Sequence, residues 1–257
     1  MIRFAEPSKV TVVIPTYRHE QFIIQCLESV LEQTHRPADI VIINDGSPDR
    51  TAEVLRPYLR YIRYFEQDNQ GVSRTVNRGL SLVRTDYVTV LASDDWLCPT
   101  ALEALELVLD THRDIVLAHA NRWEVSDGKR EVSQNAEPLG KYEPISTLIS
   151  ANSVLAPAVM VRTEPLIEVG PIADFPFCQD WAAYLQLALK GWKFFRISAP
   201  LGYYRRHSGN TTHPRNNTAI FQDETAMLEW LMSTHDIPLT HRDALRQSLA
   251  QRKAAGA

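Results

Sequence analysis

Tyr87-Val-Thr-Val-Leu-Ala-Ser-Asp-Asp-Trp96 runs from a short apolar strand pattern straight into two adjacent carboxylates, Asp94 and Asp95. Two acids at the end of a buried strand are costly unless a cation or a hydrogen-bond donor meets them. The pair reads either as a seat for a metal and an anionic ligand or as the N-cap of the helical run after Pro99. The neighbouring strands decide between these readings.

Upstream, Val10-Thr-Val-Val-Ile14 is an almost continuous β-branched run that stops at Pro15-Thr-Tyr17. Ala38-Asp-Ile-Val-Ile-Ile43 repeats the pattern and ends in Asn44-Asp-Gly-Ser47. Such runs belong to strands covered on both faces. Between them, Phe22, Ile23, Cys26, Leu27, Val30 and Leu31 recur at helical spacing from Glu20 to Gln33. A second helix is expected from Pro48 to Leu59, with Ser47 as its N-cap. Tyr61 to Phe65 reads as a third strand and Gly71 to Val83 as a third helix. The order β-α-β-α-β-α-β predicts an α/β fold with a mostly parallel central sheet and helices on both faces. Ligands bind such sheets beyond the carboxyl ends of the strands. Tyr17, Asp45 and Asp94-Asp95 end strands one, two and four, so a parallel sheet gathers them on one edge. A cap for one helix needs no such convergence.

After Asp95 the alternation loosens. A helix from Pro99 to His112 precedes a strand from Asp114 to Ala118 and a hairpin over Trp123 to Val132, turning at Asp127-Gly128. Asn135 to Pro144 reads as a surface loop, and Val154 to Val161 as a buried strand interrupted at Pro157. Thr163 to Val169 is a short helix closed by Gly170. Asp180 is a candidate N-cap for a helix from Trp181 to Lys190, which Gly191 ends. Trp192 to Ile197 is a further strand, and residues 218–254 read as two helices with a fraying tail.

The 27 Lys and Arg against 31 Asp and Glu leave a net charge of −4 with no acidic or basic block, which disfavours a nucleic-acid surface. Cys26, Cys98 and Cys178 are scattered and show no metal or disulfide spacing, which suits a reducing compartment. Met1 to Pro7 lacks a leader pattern, and no run approaches the ~18 apolar residues of a membrane span, so a cytoplasmic protein is expected. In the last helix, Arg242, Arg246, Arg252 and Lys253 suit either a solvated end helix or peripheral contact with an anionic membrane, the former being preferred. No GxGxxG follows the first strand, which argues against a dehydrogenase, and no GxxxxGK[ST] loop is present.

Val12-Val-Ile-Pro-Thr-Tyr17, Ile40-Val-Ile-Ile-Asn-Asp-Gly-Ser-Pro-Asp49, Asn69-Gln-Gly-Val-Ser73 with Asn77, Leu91-Ala-Ser-Asp-Asp-Trp96, Gln179-Asp-Trp181 and Tyr204-Arg-Arg-His207 together resemble the family 2 glycosyltransferases. Each string alone is weak; six in the right order are specific. The resemblance implies a GT-A fold over residues 1–215, with a nucleotide-binding half at about 1–112 and an acceptor half at about 113–215, and it leaves 216–257 as a helical extension. It implies inverting transfer of a sugar from a nucleotide diphosphate donor, most simply a UDP-sugar, to a glycan or lipid-linked acceptor, with Mn²⁺ or Mg²⁺. Pro15 and Tyr17 are then expected to border the base, Asp45 to accept from its ring, Asp94 to hold the ribose or sugar, and Asp95 to bind the metal. Asp180 becomes the general base and His207 a metal or phosphate contact.

The residue types suit that chemistry. A diphosphate leaving group builds charge that a hard cation on carboxylate and phosphate oxygens stabilises, and inversion in one displacement needs one base for the acceptor hydroxyl. Departures from the family pattern are Asn44, Ala92 and Gln179 where acids are common, and Val76 where an Arg is common, leaving Arg74 as a weaker phosphate contact. A nucleotidyl- or phosphotransferase, and a non-catalytic binding module for sugar nucleotides or glycans, remain open as alternatives.

Overall fold

β1 (Val10–Thr16) is the strand on which the rest is registered, in a computed structural model that describes residues 8–133 and 137–255. β2 (Asp39–Asn44) and β4 (Tyr87–Val90) lie parallel to β1 on opposite sides, with Val12 beside both Ile40 and Thr89. β3 (Arg63–Glu66) adds in parallel outside β2. The winding therefore reverses at β1, which opens a crevice beyond the carboxyl ends of β1 and β4.

Alternation along β1 builds both layers. Val10, Val12 and Ile14 pack with residues of α1 (Ile23–Leu31) and α4 (Ala101–Thr111), while Val13 faces the layer that holds α3 (Val72–Ser81). All four are fully buried, each contributing roughly 1.5–3 kcal/mol of apolar burial. A Cβ at Gly79 of α3 would stand 2.3 Å from Cγ1 of Val13, so the helix approaches β1 more closely than a larger residue allows.

The second helix, α2 (Thr51–Leu55), starts three residues later than expected from Pro48. Asp49 supplies the starting contact, its Oδ1 accepting from the Thr51 N–H (3.1 Å) and hydroxyl (2.6 Å). A carboxylate suits the positive end of a helix better than a hydroxyl does. Ser47 Oγ accepts instead from the Arg18 N–H, tying the end of β1 to the turn after β2.

The less regular half contains β5 (Trp96–Leu97), β6 (Ile115–Ser126), β7 (Lys129–Ser133), β8 (Gly140–Tyr142), β9 (Val159–Arg162) and β10 (Lys193–Arg205). Its helices are α5 (Ile145–Leu148), α6 (Thr163–Glu168), α7 (Gln179–Leu189), α8 (Asn217–Thr234) and α9 (Leu239–Ala255). The strands join one sheet in the order β3-β2-β1-β4-β9-β6-β10-β5, with β7 on β6 and β8 on β10. β9 runs antiparallel to both β4 and β6 and so welds the two halves together.

Here the structure differs from expectation in length rather than kind. The strand beginning near Asp114 and the first arm of the hairpin are one strand, β6, and the turn forms where expected, with Asp127 and Gly128 both at positive φ (49° and 76°). β10 continues past Ile197 to Arg205, because its far end finds partners in β5 and β6. β8 occupies part of the expected surface loop, and the interrupted strand shrinks to β9. Residues 135 and 136 of that loop, the last two residues of the tail and the N-terminal seven lie outside the described residues.

Candidate active site

β4 delivers Asp94 and Asp95 to the crevice, and the following β5 pairs with Gly202 and Tyr203 of β10. That pairing sets Arg205 and the segment after it against the acids, which then face different ways. Asp95 is 2% exposed, and its Oδ1 accepts from the Arg205 N–H at 2.9 Å. Burial first, and the charge of Asp94 second, push its pKa well above the usual carboxylate range. Asp94 turns its Oδ2 to His207 Nε2 (3.1 Å) and Asn210 Nδ2 (3.4 Å), while its backbone carbonyl accepts from Arg205 Nε. The Arg205 guanidinium lies between the rings of Phe22 and Trp96, at 4.8 and 4.5 Å from their centroids, and also bonds Gln25.

The sequence places the metal on Asp95 and the sugar on Asp94; in the structure the carboxylate presented to a histidine is that of Asp94, and one oxygen of Asp95, Oδ1, accepts from the main chain of β10. A third residue joins the cluster from the loop after β1. His19, His207 and Asp94 each offer a ligand atom within 4.8 Å of the others. His19 Nδ1 lies 2.7 Å from Ser93 Oγ, and burial lowers the His19 pKa, which favours the neutral ring. Sequence reasoning missed His19 because nothing in Tyr17-Arg-His-Glu20 has ligand spacing. Its position at the carboxyl end of β1, beside the switch point, was the available signal.

Along the same edge Pro15 is half-buried and Tyr17 is 40% exposed. Asp45 is buried, and both of its oxygens already serve the protein. Oδ1 accepts from Gln67 Nε2 (2.7 Å) and the Gln70 N–H (2.9 Å), and Oδ2 accepts from the Gly71 N–H (2.9 Å). Asp45 therefore fastens the loop between β3 and α3 to the end of β2, a task its sequence context did not reveal. Arg74 extends from α3 into an ion pair with Asp174 at 3.4 Å, with 63% of its side chain exposed.

Asp180 lies in the first turn of α7, two residues further in than the cap position expected of it, which Cys178 holds. The N–H groups of Phe177 (2.8 Å) and Cys178 (3.2 Å) are met instead by Oδ2 of Asp223, on α8. Oδ1 of Asp180 accepts from the Trp181 N–H at 2.7 Å and Oδ2 from Asn152 Nδ2 at 3.2 Å. Burial raises the Asp180 pKa against these two bonds, which favour the ionised form. Only Lys190 to Trp192 connect α7 to β10, so α7 runs back along the sheet, and Asp180 lies toward the edge where β10 ends.

The C-terminal helices hold this region from behind. Ser248 Oγ donates to the Ile149 carbonyl and Arg252 Nη2 to the Ser150 carbonyl, both at 2.7 Å, just ahead of Asn152. Arg252 also pairs with Glu224 at 2.8 Å and lies over the Trp181 ring. Arg242, Arg246 and Lys253 pair with Asp236, Asp243 and Glu229, so the basic residues of α9 face acids of their own chain. From the other half, Asn77 brackets Ile172, donating to its carbonyl at 2.8 Å and accepting from its N–H at 2.7 Å.

A parallel α/β edge with an acid pair after the fourth strand, closed by a returning strand with a histidine just beyond its end, is the arrangement of the GT-A class of fold. Residues 11–170 match the family described as Glycosyl transferase family 2, and the chain belongs to that family. A Streptococcus pneumoniae protein named Glycosyltransferase GlyA is 34% identical over 125 residues, covering 47% of this chain and 18% of the relative. An uncharacterized Mycoplasma pneumoniae glycosyltransferase is 29% identical over 221 residues, covering 82% of this chain and 73% of the relative. The chain spans 18%, 41% and 34% of the lengths of GlyA, of Glycosyltransferase GlyG from the same organism and of the Bacillus subtilis glycosyltransferase EpsH, less than half of each. Among solved structures, S. aureus TarS 1–349 in complex with UDP-GlcNAc superposes with a TM-score of 0.73 at 18% identity, over 95% of this chain and 72% of that one. The Pyrobaculum calidifontis mannosyltransferase PcManGT, in complex with GDP-Man and Mn²⁺, does so with a TM-score of 0.66 at 13% identity, over 97% and 75%. Among the described residues no helix is long and apolar enough to cross a membrane.

Proposed function

We propose that the chain is a metal-dependent, inverting glycosyltransferase that moves a sugar from a nucleotide diphosphate donor, a UDP-sugar, to a hydroxyl of a glycan or lipid-linked acceptor in surface polysaccharide synthesis. The observation that carries the reading is the meeting of Asp94 and His207 at the sheet edge, with one half-buried carboxylate, Asp180, on the opposite half. The UDP-GlcNAc bound by the TarS structure and the GDP-Man and Mn²⁺ bound by PcManGT support it by likeness of fold. Pro15 and Tyr17 border the base, and Asp45 shapes the base pocket through the loop it holds.

A carboxylate oxygen and imidazole nitrogens are donors that a divalent cation accepts, so the residues fit one. Asp94 and His207 would hold it together with donor phosphate oxygens, and it would offset the charge that builds on the diphosphate leaving group. Asp180 takes the proton of the acceptor hydroxyl as that oxygen attacks the anomeric carbon from the face opposite the diphosphate. Its raised pKa makes it a stronger base than an exposed Asp. Arg205, wedged between two rings, keeps a fixed positive charge beside the acids. The GT-A unit spans residues 1–215, and the helices of 216–257 act as its rear support.

Thermal-shift titration of UDP-, GDP- and dTDP-sugars with and without Mn²⁺, followed by product analysis, tests the reading. A shift that requires both nucleotide and metal, with sugar transfer that Asp180→Asn abolishes while donor binding persists, is the expected result. Release of pyrophosphate, or donor binding with no turnover on any acceptor, overturns it.

A further inference from the structure

We propose that His19 is a third protein ligand to the cation, making a two-imidazole, one-carboxylate site that prefers imidazole-accepting ions such as Co²⁺, Zn²⁺ and, less strongly, Mn²⁺ over Mg²⁺. The inference rests on the cation of the proposed function and goes beyond the acid and histidine assigned there.

Three features carry it. The ligand atoms of His19, Asp94 and His207 lie within 4.8 Å of one another, although the residues come from three separate segments. The His19 ring is held by Ser93 Oγ at its Nδ1, and Ser93 is itself 2% exposed. A second partner of this kind orients a ligating imidazole and leaves the other nitrogen for the ion, here Nε2. The ring also packs edge-on against Phe22 and against His207, at centroid separations of 5.6 and 6.2 Å, which restricts its rotation.

His19 is better prepared than His207 for this task. The Gly209 N–H points at His207 Nδ1 at 3.1 Å, so Nδ1 accepts and Nε2 bears the proton that it donates to Asp94. An ion bound at His207 Nε2 displaces that proton and ends the Gly209 contact. His19 Nδ1 can instead donate to the Ser93 hydroxyl, and in that tautomer Nε2 carries no proton and the Ser93 contact survives when an ion binds. Two nitrogens in the set matter because Mg²⁺ favours oxygen ligands, whereas the later first-row ions accept imidazole readily.

The test uses the full chain without nucleotide and the metals alone. Pulsed electron paramagnetic resonance of bound Mn²⁺ should show two histidine nitrogens in the wild type and one in His19→Ala. Co²⁺ affinity should fall roughly tenfold or more in His19→Ala and by a smaller factor in Ser93→Ala, with Mg²⁺ competition changed by less than about twofold. Unchanged melting of the metal-free variants shows that the fold is intact. An unaltered nitrogen count with Co²⁺ affinity within about twofold of wild type overturns the role of His19 and leaves the proposed function standing. Failure of the wild type to bind any of the three ions overturns both this inference and the metal dependence.

Discussion

Replacing Asp223 by alanine separates the support of the candidate base from the base itself. Asp223 has no role in the proposed reaction, yet its Oδ2 is the acceptor for the N–H groups of Phe177 and Cys178, in the turn that leads into α7. Loss of a side-chain cap costs about 0.5–2 kcal/mol, and hydrogen bonds to a charged group are worth about 1.5–3 kcal/mol each. The two bonds share one oxygen and one charge, and the residue is half-buried, so about 2–3 kcal/mol in total is expected. At roughly 2–4 °C per kcal/mol for a chain of this size, the melting temperature should drop by roughly 4–12 °C. Asp223→Asn keeps an acceptor without the charge and should recover about half of the loss. Because the turn carries Asp180, transfer should slow by roughly tenfold or more as the carboxylate loses its position. Nucleotide affinity, governed by the other half, should hold. Circular dichroism melts and calorimetric titration with donor nucleotide measure the two effects. A melting change under about 2 °C, or nucleotide affinity falling in step with transfer, would refute the reasoning.

The remaining expectations concern the acids. Burial raises the folded pKa of Asp180 above its unfolded value, so its contribution to stability is greatest below the unfolded pKa and declines as pH rises toward the folded one. Activity, which needs the ionised base, should show an acidic limb above the ordinary Asp value of about 3.9. Asn152→Ala removes a bond that favours the ionised form, so the limb of kcat/KM should move to higher pH; a limb that stays or moves down contradicts this. Asp94→Asn should abolish Mn²⁺ binding, measured by equilibrium dialysis. Asp95→Asn, which retains an oxygen for the Arg205 N–H, should keep both metal binding and melting temperature near wild type. The reverse pattern would return the metal to Asp95.

The sheet was legible because β1, β2 and β4 are continuous β-branched runs ending in polar turns, a pattern set by burial on both faces. The ends of α6 and α7 were legible for a local reason, since Gly170 and Gly191 adopt φ of 100° and 81°. What escaped is what depends on partners distant in sequence. Asp180 looked like a cap because it precedes an apolar helix; the real acceptor, Asp223, is 46 residues from Phe177. Asp94 and Asp95 are chemically equal in the sequence, and only the return of β10, more than a hundred residues on, gives one to a backbone N–H and the other to a histidine. Asp45 is a similar case, its donors lying in a loop over twenty residues away.

β10 pairs with β6 through register shifts at Lys193/Phe194, between Ile197 and Pro200, and between Pro200 and Gly202. In an uninterrupted strand, a one-residue change anywhere reverses the facing of every side chain beyond it. Here the break divides the strand into two segments of separate alignment. Phe194 keeps its place in the core under α7 whatever happens at the other end, and Arg205 is aligned opposite Val125 of β6, in a segment that β5 also grips at Gly202 and Tyr203. A residue gained or lost between Ser198 and Leu201 is thus absorbed locally, leaving Phe194 in the core and His207 beside Asp94. The irregular stretch serves as an adjustment joint between the core and the binding edge, each held in its own register.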